Sequence, residues 1–301
     1  MLSFTWHPEE VNMTLDIKPY EILSEPEKRT YDLVLSQLIS NDSIQTNQLM
    51  DSINQYVTSG VVNACLSRQA FEEALHSKSY AVMVEDISDD TELIYDMHKH
   101  DAQLAIKNQA VADMYADINT TEISDDDVLK AFAANNILEG LIFMGGFVGI
   151  WAIGNNMTSS AKMISLIHRD EAGTHVPLFK NIFNTAYQEV YPDKRNALLD
   201  IDIYNMIQDM SEHEKTWTKY ATKGILGFSD QAVEMYIDYC AYQVMKNLHV
   251  DYLWLIDIPE PGPLKIIEDK YSLLSTKTKA NFFEGTVADY SIGTIKDDGK
   301  W

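Results

Sequence analysis

The feature that most constrains this chain is an apolar segment, residues 138–153, that contains a single charged residue, Glu139. Apolar side chains cover nearly every side of a helix with this sequence, which predicts a helix buried at the centre of a bundle. A carboxylate in such surroundings is costly to bury unless it is paired or bound to a metal ion. The sequence therefore predicts that the core of the protein supplies a partner or a metal ion for Glu139.

Apolar residues recur at helical spacing along most of the chain, and strand patterns are nearly absent. Ser24 and Ser124 each precede acidic residues in the manner of helix N-termini. Further helices are predicted over residues 67–84, 168–179, 193–219 and 230–250. We therefore predict one all-α domain over residues 1–280, with an N-terminal arm over 1–23 and a flexible tail over 281–301.

Charge and composition argue against several functions. The formal net charge of −23 predicts a surface that repels phosphate backbones, so we expect no nucleic-acid partner. No run of about 18 uncharged apolar residues occurs, and we expect no membrane span. The N-terminus lacks the basic region and apolar block of a secretory signal. Cys65 and Cys240 are far apart in sequence and are expected to be buried thiols in a reducing compartment, which predicts a cytoplasmic location.

The segment around residue 73 carries a possible metal-binding pair. Glu73 and His76 are three residues apart on a predicted helix, so both side chains lie on one face and can reach one metal ion. Tyr80 follows one turn later on the same face. A single pair of this kind is weak evidence, because it arises by chance in a chain this rich in glutamate.

A second pair and two isolated acids strengthen the prediction. Glu171 and His175 fall on another predicted helix, while Glu139 and Asp42 lie beside apolar residues. Asp42 is also compatible with a helix cap or a turn. Together these residues would give one carboxylate from each of two helices and a Glu/His pair from each of two others, which is the ligand set of ferritin-like di-metal bundles. Four carboxylates and two imidazoles suit iron or manganese better than structural zinc.

With these motifs in place, the sequence resembles the small subunit of class I ribonucleotide reductase along almost the whole chain. The resemblance rests on six segments: the Trp-x-Pro-Glu-Glu motif within residues 4–10, residues 39–44 around the first carboxylate, Glu-x-x-His-x-x-x-Tyr over residues 73–80, residues 138–143, Arg-Asp-Glu at 169–171, and residues 281–284. The family implies a ferritin-like fold with additional helices and a homodimer. It also implies a separate large subunit, on which ribonucleotides are reduced.

The resemblance also implies roles for individual residues. Two metal ions, with iron preferred over manganese or a mixed pair, would be bound by six side chains: Asp42, Glu73, His76, Glu139, Glu171 and His175. Tyr80 would carry a radical, and the transfer route would run through His76, Asp170 and Trp6. Trp6 is equally compatible with a plain anchoring role in the arm. In the tail, Tyr290 would relay the radical and Trp301 would anchor the large subunit, although a frayed end without a role also fits the composition.

The segment after Arg169 departs from the family pattern, because one extra residue separates Glu171 from His175. At about 100° per residue, an i,i+4 pair still shares a helix face, whereas Asp170 and His175 are about 140° apart. We therefore prefer Glu171 as the ligand. We expect a π-bulge, eased by Gly173, to absorb the additional residue.

Other functions remain open at this point. A ligand-binding di-metal oxidase on the same fold would share the six ligands but would not need Tyr80 or the tail. Iron storage is usually performed by much shorter chains that form a shell. A purely acidic helical scaffold does not explain carboxylates in apolar helices.

Overall fold

The computed structural model describes residues 5–274 except 89, 117, 119–121, 255 and 256, and leaves the side chains of residues 50 and 51 undescribed. The described residues contain no β-strand. The predicted tail, with Tyr290 and Trp301, lies outside them. The α-helices are α1 (Thr14–Glu21), α2 (Glu25–Asn47), α3 (Gly60–Glu85), α4 (Thr91–His100), α5 (Ala102–Asp113), α6 (Asp125–Ile137), α7 (Met144–Ala152), α8 (Thr158–Asp170), α9 (Val176–Val190), α10 (Ala197–Ala221), α11 (Asp230–Asn247) and α12 (Leu264–Tyr271).

Four helices form the central bundle. Helix α2 packs against α3 and α7, and α8 packs against the same two helices, which closes a ring of four. Helices α5, α10 and α11 lie outside this ring, where α10 packs against α5, α7 and α11. The predicted all-α, ferritin-like bundle with additional helices is therefore confirmed.

The apolar segment around Glu139 is the centre of this bundle. Helices α6 and α7 are joined by a π-helical segment, Leu138–Ile142, so that residues Asp125–Ala152 run on almost continuously. This stretch is long and apolar enough to resemble a membrane span, but 94% of its most apolar window is buried inside the protein. Burial by neighbouring helices accounts for its composition, as predicted.

A buried ion pair fills the space beside α7. Lys107 of α5 contacts Glu214 of α10, and both side chains are almost completely buried. A Cβ atom at position 145 would overlap the Glu214 and Thr218 side chains, so Gly145 makes room for the pair. This pair was not predicted, because its members come from helices that are distant in sequence.

The N-terminal arm is more structured than predicted. It contains helix α1 and buries both Trp6 and Tyr20. The Asp16 carboxylate accepts hydrogen bonds from the backbone N–H groups of Ser159 and Ser160 at 3.1 and 2.7 Å. Asp16 thereby caps the N-terminus of α8 from a distant part of the chain. The arm is thus fixed to a helix of the bundle.

Other boundaries differ in detail. Helix α3 begins at Gly60 rather than at residue 67, and α10 begins at Ala197 rather than at residue 193. Helices α5 and α12 had not been predicted. Ser24 and Ser124 precede α2 and α6 as predicted, and their backbone N–H groups donate to Glu27 and Asp127 at 2.9 and 3.0 Å.

Candidate metal centre

Four helical segments of the bundle place six side chains next to one another in the core. Each of these side chains is fully buried: Asp42, Glu73, His76, Glu139, Glu171 and His175. Asp42 lies inside α2, so the alternatives of a cap or a turn are wrong. The structure therefore brings together all six residues that the sequence proposed as metal ligands.

The six side chains form two overlapping groups. In each group, one ligand atom from every residue lies within 4.8 Å of the others. The groups consist of Asp42, Glu73, His76 and Glu171, and of Glu73, Glu139, Glu171 and His175. Because Glu73 and Glu171 belong to both groups, their carboxylates are placed to bridge two cations.

Glu171 and His175 are delivered by a π-helical segment, Glu171–His175, between α8 and α9. The predicted π-bulge is therefore confirmed. The wider π turn keeps both side chains on the inner face, with His175 Nδ1 2.7 Å from Glu171 Oε2. Gly173 lies inside this segment. A Cβ atom there would lie 2.9 Å from Leu274 Cδ2, so the missing side chain also makes room for Leu274.

Several buried oxygens of the cluster have no protein partner. Among the described residues, no hydrogen-bond partner is found for either carboxylate oxygen of Asp42 or for the Oε2 atom of Glu139. Buried carboxylate oxygens are stable only when a proton, a donor or a cation satisfies them. Oxygen and imidazole donors also match the preference of iron and manganese, so the residues fit a dinuclear metal centre.

The electrostatics of the cluster point the same way. Burial and the neighbouring Glu171 raise the pKa of Glu139 to about 8. Burial, with Glu73 and Glu171, raises the pKa of Asp42 well above its usual range. Burial alone would lower the pKa of His76 and His175, but the surrounding carboxylates raise both. Protons therefore offset the negative charge unless a cation does so.

Glu171 behaves differently from the other carboxylates. Burial and the charge of Glu73 would raise its pKa, but the His175 and His76 imidazoles outweigh them, and the pKa of Glu171 is lowered. His76 Nδ1 lies 2.8 Å from Glu171 Oε1. This carboxylate is therefore ionised between the two histidines, as expected for a bridging ligand.

The outer side of His76 leads to Asp170 and Trp6. His76 Nε2 lies 3.5 Å from Asp170 Oδ2, and the indole N–H of Trp6 donates to the same oxygen at 2.6 Å. Arg169 donates to Asp170 Oδ1 at 3.0 Å. Burial would raise the pKa of Asp170, but the neighbouring His76 imidazole, the hydrogen bond from Trp6 and the charge of Arg169 lower it. The predicted set His76, Asp170 and Trp6 is thus connected in the structure.

Tyr80 lies on α3 one turn beyond His76 and is fully buried. Its hydroxyl has no hydrogen-bond partner among the described residues. Burial and the charges of Asp42 and Glu171 raise its pKa well above the ordinary value, which keeps the phenol neutral. Phe143 and Phe147 stack on each other in the core, with ring centroids 5.9 Å apart.

Three side chains around Glu139 were missed by the sequence analysis. Gln45 and Gln69 donate to Glu139 Oε1 at 2.8 and 2.9 Å. The Tyr115 hydroxyl donates to Gln45 Oε1 at 2.9 Å and orients that amide. Gln45 and Gln69 lie on the helices of Asp42 and Glu73 at helical spacing, but an amide in a helix gives no sequence signal of its own.

The cysteines do not belong to this centre. Cys240 is buried as predicted, whereas Cys65 is only half-buried, so the prediction of two buried thiols is wrong for Cys65.

Comparison with known proteins places this geometry in a family. The family model for the ribonucleotide reductase small chain matches residues 1–260. The chain is similar to the β subunit of ribonucleoside-diphosphate reductase from Treponema pallidum, with 36% identity over 97% of this chain and 83% of that protein. The ribonucleotide reductase R2 subunit from Clostridium botulinum has a similar structure, with a TM-score of 0.83, 29% identity, and coverage of 90% of this chain and 86% of that one. The dimanganese(II)-NrdF protein of Streptococcus sanguinis shares the fold, with a TM-score of 0.72, 20% identity, and coverage of 87% and 90%.

The pKa of Glu139 predicts how the metal-free protein responds to pH. The pKa of this carboxyl is 4.5 in the unfolded chain and about 8 in the folded protein. Its stabilising contribution is fully present at a pH below the pKa of the unfolded state, and it is lost as the pH rises through the pKa of the folded state. The free energy of unfolding of chelator-treated protein should therefore fall by a few kcal/mol between about pH 5 and pH 8. Denaturant unfolding followed by circular dichroism measures this.

Glu139→Gln is the matched control, because it removes the titrating carboxyl and leaves an amide that accepts from Gln45 and Gln69. The variant should lose less stability than the wild type over this pH range. An identical pH dependence in the two proteins would show that Glu139 does not carry the buried proton.

Proposed function

The chain belongs to the ribonucleotide reductase small-chain family, and we propose that its buried cluster binds two metal ions that oxidise Tyr80 to a radical. Its relatives are β subunits of ribonucleoside-diphosphate reductase, and this chain is an oxidoreductase subunit of that enzyme. The observation that carries the proposal is the pair of overlapping ligand groups that share Glu73 and Glu171.

The proposed ligands divide evenly between the two positions. The first ion would be held by Asp42 and His76, the second by Glu139 and His175, and both by the shared carboxylates. When bound, the two ions would activate an oxidant, dioxygen or, for manganese, superoxide, and so supply the redox chemistry by which Tyr80 loses an electron and a proton to that oxidant. We propose iron as the metal, with manganese or a mixed pair as alternatives, because oxygen and imidazole donors suit both. The dimanganese protein of Streptococcus sanguinis shows that this fold can hold manganese.

The surroundings of Tyr80 support its role as the radical site. Its phenol is neutral, buried and free of protein hydrogen bonds among the described residues. Burial of this kind keeps solvent and solutes away from a reactive side chain. Among the carboxylates of the cluster, Asp42 most strongly raises the pKa of Tyr80, which helps to keep its hydroxyl protonated.

The contacts of Asp170 support a transfer route from the centre to the arm. Its carboxylate accepts from Trp6 and lies next to His76, so it connects the metal ligand with an indole near the N-terminus. Arg169 holds the carboxylate from the other side. An anchoring role for Trp6 is compatible with the same contacts, because the side chain is buried.

We further propose that the radical passes to a separate large subunit, where ribonucleotides are reduced to deoxyribonucleotides. Tyr290 would act as relay and Trp301 as anchor in the tail over residues 281–301. The active form would be a homodimer located in the cytoplasm, with neither a nucleic acid nor a membrane as partner. The family of the chain argues against storage and scaffold functions, and the Trp6–Asp170 contact is a feature that an oxidase on this fold does not need.

Tyr80→Phe tests the radical assignment, because it removes only a buried hydroxyl. The variant should fold, bind metal and consume oxidant like the wild type. It should lose the tyrosyl signal in electron paramagnetic resonance and all reductase turnover with the large subunit. Tyr236→Phe is the matched control: Tyr236 is also fully buried, but its hydroxyl donates to Glu268 away from the cluster, and its loss should leave the radical signal intact. Full turnover of Tyr80→Phe would place the oxidising equivalent elsewhere.

Two changes in the tail separate relay from docking. Tyr290→Phe should keep the metals, the Tyr80 radical and the affinity for the large subunit, but should abolish nucleotide reduction. Deletion of residues 285–301 should abolish that affinity and leave the radical intact, because an aromatic anchor supplies much of the energy of such contacts. Binding and turnover are measured side by side. Normal turnover of Tyr290→Phe contradicts the relay, and normal binding by the truncated chain contradicts the docking role.

A further inference from the structure

Glu72 is a buried carboxylate that the transfer route does not use. It lies on α3 directly before Glu73 and is only 5% exposed. Its Oε2 atom is 3.0 Å from His175 Nε2. Its Oε1 atom accepts from Arg68 Nε and from an Arg68 terminal nitrogen at 2.9 and 2.6 Å. Both oxygens of Glu72 therefore have partners, and one of the partners is a proposed metal ligand.

This arrangement repeats on the opposite side of the cluster. Asp170 directly precedes Glu171, lies beside the outer nitrogen of His76 and is held by Arg169. In the same way, Glu72 directly precedes Glu73, lies beside the outer nitrogen of His175 and is held by Arg68. Each acidic dipeptide thus gives its second residue to the cluster and its first to the histidine of the other helix.

The position of His175 between two acidic sides defines what Glu72 does. His175 Nδ1 faces the cluster, 2.7 Å from Glu171 Oε2 and 3.4 Å from Glu73 Oε1. A neutral imidazole has one N–H, and an acceptor next to Nε2 keeps the proton there and leaves the Nδ1 lone pair for a metal ion. A carboxylate acceptor also makes the imidazole a stronger ligand.

We propose that Glu72 is a positioning residue for the second metal position: it accepts the Nε2–H hydrogen bond of His175 and holds Nδ1 towards the ion. This inference rests on the proposed dinuclear centre. Glu72 adds a negative charge next to a cluster that already contains four carboxylates. Arg68, whose side chain is 17% exposed, offsets that charge from the outer side and lies over the Phe71 ring at 5.0 Å.

The two outer acids differ in what lies beyond them. Asp170 is connected to Trp6, whereas Glu72 is connected to Arg68. Glu72 is therefore not expected to act in radical transfer. Loss of the Glu72 carboxylate should instead change metal binding at one position. Outer carboxylates of this kind change metal affinity by about 10- to 100-fold when they are removed.

Titration of the metal-free protein with Mn²⁺ alone tests the proposal by calorimetry. The wild type should bind two ions. Glu72→Leu should bind one ion with unchanged affinity and the other about 10- to 100-fold more weakly. Glu72→Gln should recover most of this loss, because its amide oxygen still accepts from His175. Glu85→Gln, which removes an exposed charge at the end of the same helix, should behave like the wild type.

Proton NMR of the Co²⁺-loaded proteins supplies an independent readout. The exchangeable, paramagnetically shifted N–H signal of His175 should be present in the wild type and in Glu72→Gln. It should be lost or broadened by solvent exchange in Glu72→Leu. A change in fold alone would not be reversed by the conservative variant. If Glu72→Leu does not fold, the comparison of the wild type with Glu72→Gln decides the outcome. Loss of the charge alone should still weaken the binding of one ion measurably.

Two results overturn the inference in different ways. If the wild type binds two ions and both Glu72 variants bind both with unchanged affinity, Glu72 does not position His175 and the dinuclear centre stands. If the wild type does not bind two ions, the dinuclear proposal itself is wrong, and this inference is wrong with it.

Discussion

Four carboxylates in a buried core are the constraint on which the rest of this structure depends. An isolated buried carboxylate is unstable unless it is neutralised or paired, and here the six cluster side chains are all fully buried. Protons offset the charge when no cation is present, as the raised pKa of Glu139 shows. Two bound cations would offset this negative charge more completely, because each shared carboxylate would then contact two positive charges.

The surrounding contacts follow from this constraint. Gln45 and Gln69 supply donors to one oxygen of Glu139, and Asp170 and Glu72 accept on the outer sides of the two histidines. Arginines hold both outer acids. The four-helix ring provides rigid positions for these groups, which a loop would not, and the π-helical segments turn the side chains of Glu139 and Glu171 inwards. Asp170 on the His76 side accepts from the indole of Trp6, whereas Glu72 on the His175 side pairs with Arg68, so the two metal positions are alike in ligands and different in their connections.

Much of the centre could be predicted from the sequence, because two Glu/His pairs at helical spacing occur together with two acids beside apolar residues, and this combination does not arise easily by chance. The extra residue before His175 even indicated a π turn. The partners of the ligands could not be predicted in the same way. Glu72 resembles an ordinary exposed acid until α3 and α8 are packed together, and Gln69 carries no charge that would draw attention to it.

The fold shows the same division. Strong apolar periodicity predicts most of the helices. Helix α1 lacks this signal, because its place depends on the contact of Asp16 with the start of α8. Lys107 and Glu214 lie far apart in sequence, and only tertiary packing reveals them as an ion pair. Local patterns determine where helices form, whereas the partners of buried charges are determined by long-range packing.

The most direct test of the central claim is a crystal structure of the metal-loaded protein with anomalous scattering recorded at the metal absorption edge. Two anomalous peaks are expected in the core, one beside His76 and one beside His175, with Glu73 and Glu171 bound to both. A single peak, or two peaks that share neither carboxylate, would contradict the central claim.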